Sequence, residues 1–312
     1  MIQDLCCTHF TRALRLYREM VKNGKDLAIV DETFYMVMVE SAIRVGKRDV
    51  AMEVMKRMHT NRMIPSLGFL QSVLKLLCAR KFYQECKAVF DLFEPSDDQV
   101  VYSCLSLAAA ENNDVENAKK FLELNATLFS VSGRDYLPYL RAVNRLGKWD
   151  DAVQTLREML EKKLEVDPVC LNTVISACVD AGEHDEVDRV AREVIEHQKA
   201  SGVVIMDIVS YNTRLKAAAR SRDIRKCFSI LDEINSAKLA ADDVTFSTLL
   251  DVCIDEDDHE MAALALEQMS ESGVTMNCVL LTTMIKGFVR TKNLSKAMAL
   301  FETMRGENSV VT

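Results

Sequence analysis

One apolar pattern recurs along almost the whole chain and constrains the fold more than any other feature. In "SKAMALFETM", Ala297, Leu300, Phe301 and Met304 fall at i, i+3, i+4 and i+7, the spacing of one helical face. The same face recurs as Cys227, Ile230, Leu231 and Ile234, then as Ala152, Thr155, Leu156 and Met159. It appears again as Cys86, Val89, Phe90 and Phe93, and as Ala51, Val54, Met55 and Met58. Copies led by Ala13, Ala118, Val187 and Ala262 complete nine. Successive leading residues lie 38, 35, 32, 34, 35, 40, 35 and 35 positions apart. Nine copies at near-constant spacing identify an internal repeat, and that outranks any domain count drawn from length.

A second helix-like segment precedes each copy. In "VCLNTVISACVDAG", Leu171, Val174, Ile175 and Cys178 give the same spacing, and "VSYNTRLKAAARS", "VTFSTLLDVCIDE" and "VLLTTMIKGFVRT" are its counterparts. Short polar turns such as Gly182-Glu183-His184-Asp185 join the two helices. A lone helical hairpin cannot bury its apolar face, whereas stacked hairpins bury a continuous core. The expected fold is therefore all-α, a right-handed α-solenoid (superhelix) of about nine helix-turn-helix repeats of ~35 residues. Eight full repeats should begin near Glu32, Leu67, Gln99, Gly133, Pro168, Ile208, Asp243 and Cys278. Residues 1–31 supply a partial repeat, the second helix and linker. The chain starts inside one repeat and stops near the end of another without polar caps, so a segment of a longer protein is expected.

Bulk properties narrow the function. Only 4 Pro and 10 Gly are present, too few chain breakers for a fold of many short strands. No run approaches about 18 apolar residues, so no membrane span or membrane partner is expected. Met1-Ile2-Gln3-Asp4 is neither the basic start of a signal nor an organellar presequence. Ten Cys without a CxxC pair read as buried free thiols in a reducing compartment, above all Cys78, Cys86, Cys104, Cys170, Cys178, Cys227 and Cys253. The net charge of −8 argues against a polyanion binder held by long-range attraction, while leaving room for a local basic stripe.

Residues 208–242 and 243–277 each open "VxYNT" or "VTFST" and close on Asp or Asn, with small residues in the second helix. In these features they resemble pentatricopeptide repeats. The likeness covers essentially the whole chain, closely in residues 168–312 and more loosely in residues 1–167. Tetratricopeptide repeats have a similar length, but their Trp-Leu-Gly-Tyr and terminal Pro signature is missing.

The resemblance implies single-stranded RNA binding at about one base per repeat. It assigns base selection to the fifth residue of the first helix and the last residue of the repeat, and base packing to the second residue. Asn172 with Asp207, and Asn212 with Asp242, would then favour uracil. Ser247 with Asn277 would favour adenine, so the stretch reads UUA. Thr282 would be a selector without a base assignment, because its partner Thr312 is unusual. Val169, Val209, Val244 and Val279 would pack on base faces. Asn presents a donor and an acceptor to a base edge, and Asp accepts from a base N–H. Arg145, Arg220 and Arg290 stand where the family places a phosphate-binding cation, as does Arg44. Glu111, Asp180 and Asp255 interrupt that stripe. In residues 32–167 the selector pairs are Met36/Ser66, Gln71/Asp98, Ser103/Ser132 and Leu137/Asp167. Two of these are apolar, so this half is expected to act as spacers or to face other proteins.

Other motifs carry less. The run Asp255 to Glu260 lacks the Gly and ligand order of a calcium loop and reads as a solvated acidic turn. His184-Asp185-Glu186 matches the short H-x-E of zinc deaminases without the required P-C-x-x-C, and Cys6-Cys7-x-His9 has no partner pair. No catalytic residue, metal or cofactor is expected. The family resemblance places the protein in a mitochondrion or chloroplast, acting in organellar RNA processing, stability or translation. The alternatives are a helical-repeat scaffold for protein–protein interaction, or the RNA-targeting part of a larger enzyme.

Overall fold

The computed structural model describes residues 10–22, 32–95, 97–274, 278–290, 294 and 298. The chain divides into two compact units, residues 1–146 and 147–312. The first holds α1 (Phe10–Lys22), α2 (Glu32–Arg44), α3 (Arg48–Thr60), α4 (Leu67–Ala79), α5 (Tyr83–Phe93), α6 (Gln99–Glu111) and α7 (Val115–Leu128). A short 3-10 turn, Gly133–Tyr136, then leads into α8 (Leu137–Arg145). The second unit holds α9 (Trp149–Glu161), α10 (Pro168–Ala181), α11 (His184–Ser201), α12 (Ile208–Arg220), α13 (Ile224–Ser236), α14 (Asp243–Asp255), α15 (His259–Glu271) and α16 (Cys278–Arg290). No strand occurs among the described residues, and no described helix is long and apolar enough to cross a membrane. The eight first-helix starts read from the repeat are the observed starts, with Gly133 opening the 3-10 turn.

Each unit is a stack of helical hairpins. In the first unit the first helices α2, α4, α6 and α8 pack in succession, and α3 packs on α5. In the second, α10, α12, α14 and α16 pack in the same manner. Between them run the side chains of the repeated apolar face. Ala51, Val54, Met55 and Met58 are buried, as are Ala152, Thr155, Leu156 and Met159, and Cys227, Ile230, Leu231 and Ile234. Each fully buried aliphatic side chain stabilises by about 1.5–3 kcal/mol, against the chain entropy lost on folding. Six of the seven named cysteines are buried free thiols and Cys78 is half-buried. Close approach is visible at Gly287, where an added Cβ would lie 2.7 Å from the Ile254 side chain.

The hairpin turns share one solution. The chain enters the left-handed region once between the two helices, at Gly46, Lys81, Asn113, Gly147, Gly182, Arg222 and Asp257. The next residue's N–H then bonds back across the helix end, as from Glu183 to Cys178 O (2.9 Å) and from Asp258 to Cys253 O (2.9 Å). This satisfies carbonyls that the helix end leaves unpaired. Trp149, the one tryptophan of the sequence, is half-exposed at the start of α9 and lines an open cavity with Gln154, Arg157 and Arg189.

Candidate nucleic-acid interface

The residues that close each repeat cap the first helix of the next. Asp98, Asp167, Asp207 and Asp242 accept from Val101 N (3.0 Å), Val169 N (2.9 Å), Ser210 N (2.8 Å) and Thr245 N (2.9 Å). Asp, with its short acceptor side chain, suits that position. Asn172 and Asn212 are not caps. They lie one turn inside α10 and α12, and their amides reach across to the closing carboxylates.

Three such seams form among the described residues. Asn172 Nδ2 donates to Asp207 Oδ1 (3.3 Å), and Asn212 Nδ2 to Asp242 Oδ1 (2.9 Å). Gln71 Nε2 donates to Asp98 Oδ2 (2.9 Å). Each of these three selector pairs is therefore one hydrogen-bonded group spanning adjacent hairpins. Asn172 is half-buried, while Asn212 is 6% exposed and offers only an edge. Beside these amides the second residues stand out from the surface: Val169 is 45%, Val209 52% and Val244 37% exposed. Apolar side chains are left in water at one repeat position while their neighbours are buried. Burial tends to raise the Asp242 carboxyl. Bonds from Thr245 N–H, the Asn212 amide, the Thr245 hydroxyl and Val244 N–H outweigh it and hold the group below the usual 3.8.

Comparison with known proteins bears on the same repeats. Residues 206–255 match the PPR repeat family, and residues 140–164, 169–198, 244–274 and 279–309 match single PPR repeats. Residues 15–80 match the pentatricopeptide repeat domain. The chain belongs to the pentatricopeptide repeat family. A chloroplastic pentatricopeptide repeat-containing protein of Arabidopsis thaliana is 26% identical over 187 residues, 59% of this chain and 23% of that one. A second from the same plant is 21% identical over 231 residues, 72% of this chain and 26% of its own. The chain thus spans about a quarter of the length of these relatives. Among solved structures it is similar to the pentatricopeptide repeat protein PPR10 in complex with an 18-nt psaJ RNA element. The TM-score there is 0.51 at 17% identity, over 96% of this chain and 43% of that one. It is likewise similar to nuclear proteinaceous RNase P 2 from A. thaliana, with a TM-score of 0.51 at 13% identity over 62% of this chain and 42% of that one. These likenesses show the pentatricopeptide repeat fold.

Within this family's repeat frame the remaining expected positions fall as follows. Ser247 is half-buried, and its hydroxyl turns to Val244 O of its own helix (3.1 Å). Its partner Asn277 lies outside the described residues. Thr282 is exposed on α16; Val279 and Arg290 belong to that helix, and their side chains lie outside the described set. The cations have other engagements. Arg145 donates to Ala110 O (2.7 Å) and Asn113 Oδ1 (3.3 Å) and pairs with Glu111 (3.5 Å). Arg220 donates to Val179 O (3.0 Å) and approaches Asp180 (3.8 Å). Each closes the end of the preceding first helix, and this use was not read from the sequence. Arg44 pairs with Glu40 on its own helix.

In residues 32–167, Met36 packs against the core of the first unit, and Ser103 accepts from the buried Asn125 amide (3.0 Å). The Gln71–Asp98 seam repeats the bond of the Asn–Asp pairs, which its sequence context, with Gly68 in place of Val, did not suggest. Reasoning from sequence also missed Ser210 and Thr245, whose hydroxyls enter the seams. The signal was present as Ser or Thr three residues after the closing Asp, the spacing of a capping box.

Proposed function

We propose that this pentatricopeptide repeat array binds single-stranded RNA selectively, one nucleotide per repeat, along the edge of the first helices. One observation carries the reading: Val169, Val209 and Val244 stand exposed beside the amide–carboxylate seams of Asn172–Asp207 and Asn212–Asp242. An apolar side chain suits the face of an unstacked base, and a donor beside an acceptor suits its Watson–Crick edge. The RNA bound by PPR10 supports the same reading. An N–H held beside a carboxylate matches uracil, whose carbonyl neighbours an imino N–H, so both Asn–Asp repeats take uracil. Ser247 and Asn277 take adenine, Thr282 lines the following position, and Val279 continues the packing row. Arg145, Arg220 and Arg290 add weak phosphate contacts. Residues 1–31, 32–167 and 168–312 act as a partial repeat, a spacer or protein-facing half, and the reading half. The array does no chemistry in this segment and works in organellar RNA metabolism, as the chloroplastic relatives suggest.

Anisotropy titrations with short RNAs test this. The full chain should prefer a UUA-containing strand to a scrambled one by about tenfold or more, and N212S with D242N should move that repeat's preference toward adenine. Equal affinity for all strands would refute base reading. For residues 32–167 a protein partner is the second reading, favoured by the inward turn of Met36 and Ser103. RNase-resistant capture of a partner, lost when those residues are replaced, would establish it.

A further inference from the structure

Two of the three seams contain a third group. Ser210 and Thr245, third in α12 and α14, are 0% exposed, so neither can touch a ligand. Ser210 Oγ lies 2.6 Å from Asn172 Oδ1 and 2.8 Å from Asp207 Oδ1, and it accepts from Asp207 N (3.3 Å). Thr245 Oγ1 repeats the arrangement, 2.7 Å from Asn212 Oδ1, 2.9 Å from Asp242 Oδ1 and 3.2 Å from Asp242 N. A neutral hydroxyl has one proton to give. The carboxylate Oδ1 already accepts from a backbone N–H and from the Asn amide. The Asn carbonyl lies nearer to the hydroxyl in both seams and would otherwise sit beside a buried group unpaired. The hydroxyl is thus shared between the two oxygens, and its bond to the Asn carbonyl is the one that fixes the amide.

We infer that Ser210 and Thr245 are positioning residues that lock the Asn172 and Asn212 amides in a single donor–acceptor orientation, so that the hydroxyl of one repeat sets the base choice of the repeat before it. This rests on the base-reading proposal above. With its carbonyl tied to the hydroxyl and its Nδ2 tied to the carboxylate, the amide has one N–H left. That N–H suits a base carbonyl flanked by an imino N–H and meets the wrong polarity on cytosine, whose ring nitrogen accepts and whose exocyclic amine donates. The Gln71–Asp98 seam is the internal contrast. Val101 stands where the hydroxyl would be, and Gln71 takes Asp98 Oδ2 while the helix cap uses Oδ1. In the hydroxyl seams the amide, the cap and the hydroxyl all converge on Oδ1. The consequence is a three-residue reading unit distributed over two repeats. A repeat moved without its successor should lose selectivity although both of its own selector residues are intact.

The test uses the full chain with S210A and T245V, which delete the hydroxyl, and S210T and T245S, which keep it. Two readouts are followed: hydrogen exchange of the Asn172 and Asn212 side-chain amides in the RNA-free protein, and the ratio of affinities for strands carrying uracil or cytosine opposite those repeats. Deleting the hydroxyl should speed amide exchange and lower the uracil preference by roughly three- to tenfold, the equivalent of one ordinary hydrogen bond. The hydroxyl-retaining variants should keep both properties. A purely structural role would weaken binding to both strands alike and leave their ratio unchanged. An unchanged ratio, or unchanged exchange, in a folded S210A or T245V protein overturns the inference. The two variants sit in separate seams, so one remains informative if the other fails to fold. If the unmodified protein shows no uracil preference, base reading falls, and the exchange measurement still decides the lock.

Discussion

Asp207 and Asp242 each perform two tasks with one carboxylate. As caps they satisfy an N–H that the following helix leaves free, and as seam partners they hold the amide of the preceding repeat. Any substitution made here to test the proposed base preference would therefore also change stability. Asp242→Ala should cost about 1–2 kcal/mol near neutral pH, from a lost cap and an orphaned amide. The pH dependence follows from the depressed carboxyl. Its stabilisation is complete above the ordinary value of 3.8 and is lost as pH falls through the lower folded value. Urea unfolding of the two proteins as a function of pH should show a constant gap above about pH 5 that narrows below 3.8. A gap that persists undiminished into strong acid would contradict this account. The residues of the Asn–Asp seams and the exposed Val row were legible because Asn, Val and Asp recur at fixed repeat positions. The buried hydroxyls were not, since their meaning lies in contacts 33 and 38 residues away.

The elements owe their boundaries to local chemistry and their turns to packing. Ser66, Asp98, Asp167, Asp207 and Asp242 each precede a first helix, and Pro168 sits at a helix start, where its missing N–H costs nothing. These starts were readable residue by residue. The turns were only partly so. Gly182 takes φ +81 with open space around it, so a methyl group there meets no neighbour and the penalty is torsional. Gly182→Ala should destabilise by about 1 kcal/mol, read as a lower thermal midpoint with the helical signal unchanged. An unaltered midpoint would show that the turn bears no strain. Lys81, Asn113, Arg222 and Asp257 adopt the same conformation without being glycine. Asn113 and Asp257 are residue types that tolerate this region, whereas nothing in Lys81 or Arg222 announced it. The stacking of the helices on either side imposes it, and the bonds across the helix end offset the strain. Ion pairs add a further cross-hairpin tie: Arg214, nearly buried in α12, bonds Asp188 of α11 (2.9 Å) and Glu233 of α13 (3.1 Å).

For the molecule as a whole, a net charge of −8 limits how the RNA proposed above could be held. Arg44, Arg145 and Arg220, at three of the expected phosphate positions, already serve carbonyls and carboxylates, so about two phosphates should be neutralised. The logarithm of affinity should then fall with the logarithm of salt at a slope of about −1.4, roughly a sevenfold loss between about 50 and 200 mM. A slope several times steeper would mean that a basic surface, not base contact, supplies the affinity. The sequence by itself determined the repeat period, the all-helical class and the first-helix starts. Those are properties of spacing and side-chain type, which repetition makes visible nine times over. Tertiary structure alone decided which polar groups satisfy one another. Arg145 and Arg220 close neighbouring helix ends, Gln71 finds Asp98, Trp149 stays out of the core, and two buried hydroxyls hold the Asn amides. Such choices depend on which hairpins lie side by side, and a hydrogen bond forms only where packing has brought its donor and acceptor within about 3 Å.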